Sequence, residues 1–414
     1  MGETFDADVI IAGAGMAGAT LALALRQAGL TPILVDPAPF EAQAAPTFDG
    51  RASAVAYACF RQWRVLGAGE ALAPQAQRIE QILVTDGRAP GAASGGPSPF
   101  FLRFDAAEIA EGEPLGYMLE NRLIRAGLAQ AVHDAGIQVL APAKVERASF
   151  GPRAATVVLG DGRELAAPLV VGAEGRGSVI RRDAGINAVG WDYRQAAVVA
   201  TVRLARPHHG VAHEYFLPSG PFAILPLTGD RASLVWTESA ARAQALKEAR
   251  DEVFHAHLRR RVGDLIGPAE REGPVFTYPL ALQLAERLSA RRAALLGDAA
   301  HGVHPIAGQG LNLGLKGAAA LAQTLVEAFR LGEDIGSEIV LERYARWRRF
   351  DTATLSAGMD AFVHLFSNDN PLARLARGAG MAAVNRIGPA RRFFMREAGA
   401  AAGDLPRLLQ GEAP

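Results

Sequence analysis

Gly13, Gly15 and Gly18 stand in the run Gly13-Ala14-Gly15-Met16-Ala17-Gly18, and Asp36 follows at about the 20-residue spacing that an acidic partner of such a turn takes. These residue types at this spacing suit phosphate and ribose. The first glycine permits a tight turn, the second lets a pyrophosphate approach the backbone, and the third lets a helix lie close on a strand. Free N–H groups at the helix start, with their partial positive charge, would face the phosphates. The Asp36 carboxylate would hold ribose hydroxyls. Together they predict a dinucleotide site; a glycine turn without ligand is the plainer alternative.

Two later segments extend this pattern. Leu169-Val170-Val171-Gly172-Ala173-Glu174-Gly175-Arg176-Gly177-Ser178 reads as a strand entering a glycine turn with an acidic residue. Ala293-Ala294-Leu295-Leu296-Gly297-Asp298 is a strand ending in Gly-Asp, continued by His304-Pro305-Ile306-Ala307-Gly308-Gln309-Gly310-Leu311-Asn312-Leu313-Gly314. An extended cofactor with a ribityl chain needs an acceptor for its hydroxyls, and Asp298 fits that role. Gly308 and Gly310 would open a helix whose amides face a ring that becomes anionic on reduction.

The elements that must position these residues are legible at a coarse level. Asp8–Ala12 is a short apolar run of the kind buried in parallel sheets, an Ala/Leu-rich helix is expected over 16–28, and Thr31–Val35 is a second strand. Strand, turn, helix and strand make a right-handed βαβ unit. Between about 190 and 278 the texture changes to short β-rich runs, such as Val198–Val202, Phe222–Leu225 and Ser233–Thr237, interrupted by a polar helix near 239–261. Residues 87–99, rich in Gly, Pro and Ser, read as an exposed loop. Helical patterns return from about 311. The expected fold is α/β. A Rossmann-like domain (1–78, 105–186 and 279–342) would carry an antiparallel β-sheet substrate domain (79–104 and 187–278) and a C-terminal helical region (343–414).

The three motifs, in this order, resemble the flavin-dependent aromatic hydroxylases with the para-hydroxybenzoate hydroxylase fold. Within that group, His304–Leu315 resembles the signature of the ubiquinone-biosynthesis hydroxylases. Asp49-Gly50-Arg51-Ala52-Ser53-Ala54, Glu120-Asn121-Arg122, Gly220–Leu227, Leu365–Asp369 and Leu405–Leu409 also fit, so the resemblance covers essentially the whole chain. It implies FAD as cofactor and NAD(P)H as reductant, with a prenylated phenol and O2 as substrates. By position it assigns Gly13, Ala14, Gly15, Met16, Ala17, Gly18 and Asp36 to the ADP half, and Arg51 to the pyrophosphate. Asn121 or Arg122 would reach the ribityl or ring side, Gly297 and Asp298 the ribityl chain, and the Leu311 and Asn312 amides the flavin ring. Pro305, Gly308 and Gly310 belong to the same flavin-facing turn. Glu174 stands where the family usually has Asp, and Gly317 where an acidic residue is common. Because the cofactor carries the reactivity, no nucleophile triad is required.

Several residues have plainer readings beside the sharper ones. His304, with Pro305, is a candidate catalytic residue, or a histidine that bridges loop backbone. His208, His209 and His213 could hold a metal but lack a completing carboxylate or cysteine pattern, so a loop role is expected and no metal site is assigned. Tyr215 could polarise a phenol or be a half-buried strand aromatic; Trp236 reads as core, as does the single cysteine, Cys59.

The chain of 414 residues has 43 basic and 43 acidic residues, a net charge of zero that argues against a nucleic-acid partner. That neutrality is a cancellation. Residues 343–414 hold eleven arginines against six acidic residues, and the remainder carries the opposite excess. Leu355, Met359, Phe362, Val363 and Phe366 fall on one helical face, followed by Arg374, Arg377, Arg386, Arg391, Arg392 and Arg396. Either this helix packs on the flavin domain with solvated arginines, or it meets an anionic membrane or another quinone-biosynthesis protein. With neither a signal-like start nor a long apolar run, a cytoplasmic protein is expected, peripheral on the inner membrane face under the second reading. Three functions remain open here. The first is hydroxylation of a polyprenylated phenol for ubiquinone. The second is related flavin chemistry, either hydroxylation of a soluble aromatic or reduction of prenyl chains. The third is a non-catalytic assembly subunit.

Overall fold

The computed structural model describes residues 5–40, 42, 48–88, 96–108, 112–217, 219–263, 265–302, 309–349, 384 and 387–414. Val9–Ala12 lies inside a six-stranded sheet, flanked in parallel by Pro32–Val35 and Leu169–Gly172. Gln138–Leu140 and Ala293–Leu295 extend it in parallel on the two sides, and Ser289–Ala290 adds an antiparallel edge. Every residue of the three central strands is buried, which is why they read as unbroken apolar runs rather than alternating ones.

The helix Met16–Gln27 is buried continuously from Gly18 to Leu25. It packs on the sheet beside the helices Asn121–Asp134 and Gln309–Arg330, so it has no solvent stripe in its middle. Its one polar side chain there, Thr20, is satisfied twice: its hydroxyl donates to Met16 O (2.6 Å) and accepts from Trp63 Nε1 (2.9 Å). Small three-stranded antiparallel sheets, Val145–Phe150 with Ala155–Leu159 and Glu164–Ala167, and Ala52–Ala56 with Gly116–Glu120 and Gln77–Ile79, flank this core.

An eight-stranded sheet forms the second layer. Its order is His301–Gly302, Ala269–Ala285, Ala188–Leu204, Arg231–Ser239, Gly220–Leu227, Val211–Leu217, Gln81–Arg88 and Gly96–Asp105. All neighbours are antiparallel except Val211–Leu217 and Gln81–Arg88, which run parallel. The strand Ala269–Ala285 runs through the boundary placed at 278 and pairs along Ala188–Leu204.

Two local expectations are corrected. Residues 96–99 are strand rather than loop, since Gly87 pairs with Pro97 and Arg88 with Gly96. Prolines are tolerated there because Gly96–Asp105 is the sheet edge, where an absent N–H breaks no ladder. The polar helix near 239–261 is two helices, Ala240–Lys247 and Asp251–Val262. The second restarts on Asp251 and Glu252, whose charges suit a helix N-terminus.

These two helices cover one face of the large sheet, where Val198, Trp236, Phe222 and Tyr215 lie in a single cross-strand row and meet Phe254, Leu258 and Val262. The opposite face looks toward the flavin-motif elements. Gly317 has a packing explanation. A Cβ on it would lie 3.0 Å from Leu296 Cδ1 and 3.6 Å from the Tyr344 hydroxyl, so the helix Gln309–Arg330 packs closely on Leu296 there and a larger residue requires that side chain to shift.

Candidate active site

The glycine turn opens where the carboxyl ends of parallel strands meet, the usual ligand edge of such sheets. Gly13 has φ +106°, and its N–H donates to Val35 O (2.7 Å). A Cβ there would lie 2.4 Å from Ala173 O, and one on Gly18 would lie 2.0 Å from Gly13 O. A Cβ on Gly15 would meet nothing within 4 Å, so the space before the helix start is open. The three glycines therefore have separate tasks: turn, open approach and close packing. Asp36 accepts the Ala14 N–H on Oδ2 (2.8 Å) and the Ala38 N–H on Oδ1 (2.9 Å). Each carboxylate oxygen has a further lone pair, which leaves acceptors for a ligand hydroxyl.

The middle motif packs directly against this turn through the Gly13–Ala173 approach. Its Glu174 is engaged within the chain, accepting from Ser178 Oγ (2.7 Å) and from the Ile180 N–H (3.0 Å), while Ser178 caps the helix Val179–Asp183. Arg176 reaches out of the same loop to Ala281 O (3.2 Å) on the large sheet.

The third motif closes the group. Gly297, at φ +60°, turns the chain out of the strand Ala293–Leu295, and Gly314 would place a Cβ 3.4 Å from Gly297 Cα and 3.5 Å from Ala17 Cβ. Met16 and Ala17 form the first turn of the helix below. Asp298 is held above the ordinary carboxylate range by burial, partly offset by the Arg176 guanidinium. Asn312 is buried and ties the helix Gln309–Arg330 to the strand Ala52–Ala56: its Oδ1 accepts the Ala56 N–H and its Nδ2 donates to Ala54 O, both at 2.9 Å. His304, Pro305 and Gly308 lie outside the described residues.

A cavity of about 440 Å³, within the range of small-molecule sites, lies between these elements and the open face of the large sheet. One wall holds Asp298, Gly310, Leu311, Ser53 and Asn121; the other holds Ala197, Val199, Val235, Ala223, Leu225 and Glu214. Arg51 lines it, paired with Asp49 (3.0 Å) and stacked 5.4 Å from the Tyr278 ring centroid. Burial alone would raise the Asp49 pKa, but hydrogen bonds from Arg125 and Arg51 outweigh it and hold the group below its usual range. Asn121 accepts from the Ser53 hydroxyl (2.7 Å). Arg122 instead pairs with the buried Glu120 (2.6 Å) and lies over Phe48. A second cleft, about 590 Å³ between Arg181, Asn187, Trp191 and Gln283, contains none of the motif residues.

Sequence reasoning did not single out Arg176, Tyr278 or Glu214 for this cavity. Arg176 stands inside the middle glycine motif, which gives its side chain no role of its own, and Tyr278 lies in no motif. Glu214 has one: it is the acidic residue in the otherwise largely apolar strand Val211–Leu217.

Other candidates take the plainer role. His208 Nδ1 accepts the Gly210 N–H (3.0 Å), which leaves Nε2 to donate to Leu227 O and Gly229 O, so the ring bridges loop backbone. Tyr215 and Trp236 belong to the covered face of the sheet. Burial pushes the Cys59 thiol up to about 12, which makes it an unreactive core residue. In the C-terminal region, Met395 is buried against Ile79, Phe104 and Met118, and Arg391 pairs with Glu108 (2.7 Å), while Arg392 and Arg396 are exposed. Leu355, Met359, Phe362, Val363, Phe366, Arg374, Arg377 and Arg386 lie outside the described residues. Among the described residues no helix is long and apolar enough to cross a membrane.

Comparison with known proteins agrees with this geometry. A family profile described as "FAD binding domain" matches residues 6–353. The ubiquinone hydroxylase UbiL of Rhodospirillum rubrum is 45% identical over 98% of this chain and 93% of its own length. The 3-demethoxyubiquinol 3-hydroxylase of Escherichia coli is 33% identical over 94% of this chain and 98% of its own. The crystal structure of p-nitrophenol 4-monooxygenase PnpA from Pseudomonas putida DLL-E4 shares the fold, with a TM-score of 0.78 over 98% of this chain and 100% of that one at 18% identity. The chain belongs to the FAD binding domain family, among its FAD-dependent aromatic hydroxylases.

Proposed function

We propose that this protein hydroxylates a polyprenylated phenol on the route to ubiquinone, using FAD, NAD(P)H and O2. The observation that carries the reading is the cavity itself. It joins the motif residues Asp298, Gly310 and Leu311 on one wall to an apolar sheet face on the other, where a flavin ring would meet an aromatic substrate. The residues present fit FAD. Gly15 leaves open space at a helix start, Asp36 keeps free lone pairs, and Asp298 is a buried acceptor on the cavity wall. Gly13–Gly18 and Asp36 would hold the ADP half, Arg51 the pyrophosphate and Asp298 the ribityl hydroxyls. Gly310, Leu311 and Asn312 would present the ring-facing amides, with Asn121 near the ribityl side. The family resemblance adds His304, Pro305 and Gly308 to this set. Glu174 and Arg122 act at one remove, because their carboxylate and guanidinium are engaged in holding the surrounding loops.

When bound, reduced FAD supplies an electrophilic oxygen derived from O2. The chain's own tasks are to position the phenol ring, exclude water and handle the phenolic proton. The purified protein is expected to be yellow, and NAD(P)H consumption is expected to rise when ortho-prenylphenol is added. A colourless protein that cannot be reconstituted with FAD rejects the reading.

The substrate's prenyl chain is a reason to approach a membrane, and the exposed Arg392 and Arg396 support a peripheral contact with anionic lipid on the cytoplasmic side. Sedimentation with anionic vesicles should fall with salt and in Arg392→Glu/Arg396→Glu. Equal sedimentation with neutral vesicles counts against this contact.

A further inference from the structure

One ionisable group on the cavity wall is used by none of the roles above. Glu214 faces the cavity from the strand Val211–Leu217 and is only 7% exposed. Sheet register places it opposite Ala223 and Val84, in a row that continues to Val235 and Val199. Glu214 is the polar member of that row. Among the described residues it has no hydrogen-bond or ion-pair partner.

The groups around it are accounted for. His213 and Tyr215 alternate to the opposite face of the strand. The adjoining strand Gly220–Leu227 has no ionisable residue, and on Gln81–Arg88 the residue opposite Glu214 is Val84. The cavity's remaining ionisable groups are Arg51, Arg176, Tyr278 and Asp298. Tyr278, with Arg51 stacked on it, sits four strands away in the sheet, about 19 Å at ordinary strand spacing. Among the described residues no cation offsets the burial of Glu214, and burial pushes its pKa up to about 8.

An unpartnered buried carboxyl costs stability, and its retention on a ligand wall is understandable where the ligand supplies the missing partner. We propose that Glu214 is a catalytic residue, the base that accepts the phenolic proton of the aromatic substrate bound in this cavity. This rests on reading the cavity as a phenol hydroxylation site. In the step, the phenolic O–H bond breaks and a carboxyl O–H bond forms on Glu214. The released electron pair drives a new C–O bond to the electrophilic oxygen as the O–O bond derived from O2 breaks. The second oxygen atom leaves as water, and NAD(P)H supplies through the cofactor the two electrons this requires. Loss of the ring proton to solvent and return of the Glu214 proton to the phenol oxygen restore the aromatic ring and the carboxylate.

The raised pKa suits this work. A phenol titrates near about 10, so an ordinary carboxylate would be outmatched by about 5 to 6 units, whereas Glu214 is outmatched by about 2. Because the base form must be ionised, hydroxylation rises with pH through a limb near 8.

The test is the rate of hydroxylated ortho-prenylphenol formation by holoenzyme across pH 6 to 10, in wild type, Glu214→Gln, Glu214→Asp and Glu214→Leu. The wild type is expected to show the limb. Glu214→Gln and Glu214→Leu should keep their FAD and continue to oxidise NAD(P)H, yet lose about 100-fold in product and lose the limb. Glu214→Asp should recover part of the rate with the limb present. The leucine variant removes the carboxyl without leaving a buried polar group, so it reports even where the glutamine variant fails to fold. Unchanged product formation and an unchanged limb in Glu214→Leu overturn the role of Glu214 alone. A wild type that makes no hydroxylated product at any pH overturns the hydroxylase reading and the inference together.

Discussion

Gly15→Ala should give a folded protein that binds FAD poorly, whereas Gly18→Ala should lose stability outright. The two substitutions add the same methyl group three residues apart, and the structure separates their effects. At Gly15 the backbone has φ −65°, open to any residue, and nothing lies within 4 Å of the added carbon. Removing a glycine from the unfolded chain would even favour folding by about 0.4–1 kcal/mol. The methyl, however, occupies the open space at the helix start where the pyrophosphate must come close. Loss of one charge-assisted hydrogen bond costs about 1.5–3 kcal/mol, which is roughly 10- to 100-fold in affinity. At Gly18 the added carbon would lie 2.0 Å from the Gly13 carbonyl oxygen, a backbone atom held by its own turn. The helix must shift away from its strand, at a cost of about 1–3 kcal/mol or more. Thermal melts of the FAD-stripped proteins and flavin absorbance of the holoproteins distinguish the two. For Gly15→Ala the stripped protein should melt no lower than wild type while colour is reduced, and for Gly18→Ala the stripped protein should melt lower.

The second large effect is expected far from the cavity. Arg292 is a buried guanidinium between the six-stranded sheet and the segment that follows Gln309–Arg330. It donates to Pro152 O (2.7 Å), Pro168 O (2.9 Å) and both oxygens of Asp334 (3.0 and 2.6 Å). Its side chain is 4% exposed and that of Asp334 is 47% exposed. Asp334→Ala leaves a buried cation without its counter-charge. Breaking such a pair costs about 3–5 kcal/mol, and the exposure of the aspartate places this one toward the lower end. The melting temperature should fall by several degrees while FAD binding at saturating cofactor is retained. An unshifted melt would mean that water replaces the carboxylate without loss.

Much of the flavin-binding half was legible because its signals are local. The strand Val9–Ala12, the turn at Gly13–Gly18 and Asp36 sit within one βαβ unit, where neighbours in sequence are neighbours in space. The glycine roles could be read for the same reason, since each follows from what a Cβ would meet in a turn of fixed geometry. What escaped depends on distant partners. Glu174 has its usual charge, but its capping of the helix after Ser178 turns the carboxylate inward. Arg122 follows Asn121 directly, yet only Asn121 faces the cavity, because Glu120 draws the arginine away. Gly317 becomes intelligible only when Leu296, 21 residues earlier, is seen to occupy the space beside it. Glu214 is the clearest instance. Whether a strand carboxyl faces the covering helices or the cavity is a question of sheet register, and that register is set by strands as remote as Gln81–Arg88 and Arg231–Ser239.

The most direct measurement is the origin of the oxygen in the product. Wild-type holoenzyme is incubated with NAD(P)H and ortho-prenylphenol under isotopically heavy O2, and the product is analysed by mass spectrometry. The proposed chemistry predicts a dihydroxylated ring that carries one heavy oxygen atom. A product whose new oxygen comes from water, or one in which only the prenyl double bond has been reduced, contradicts it.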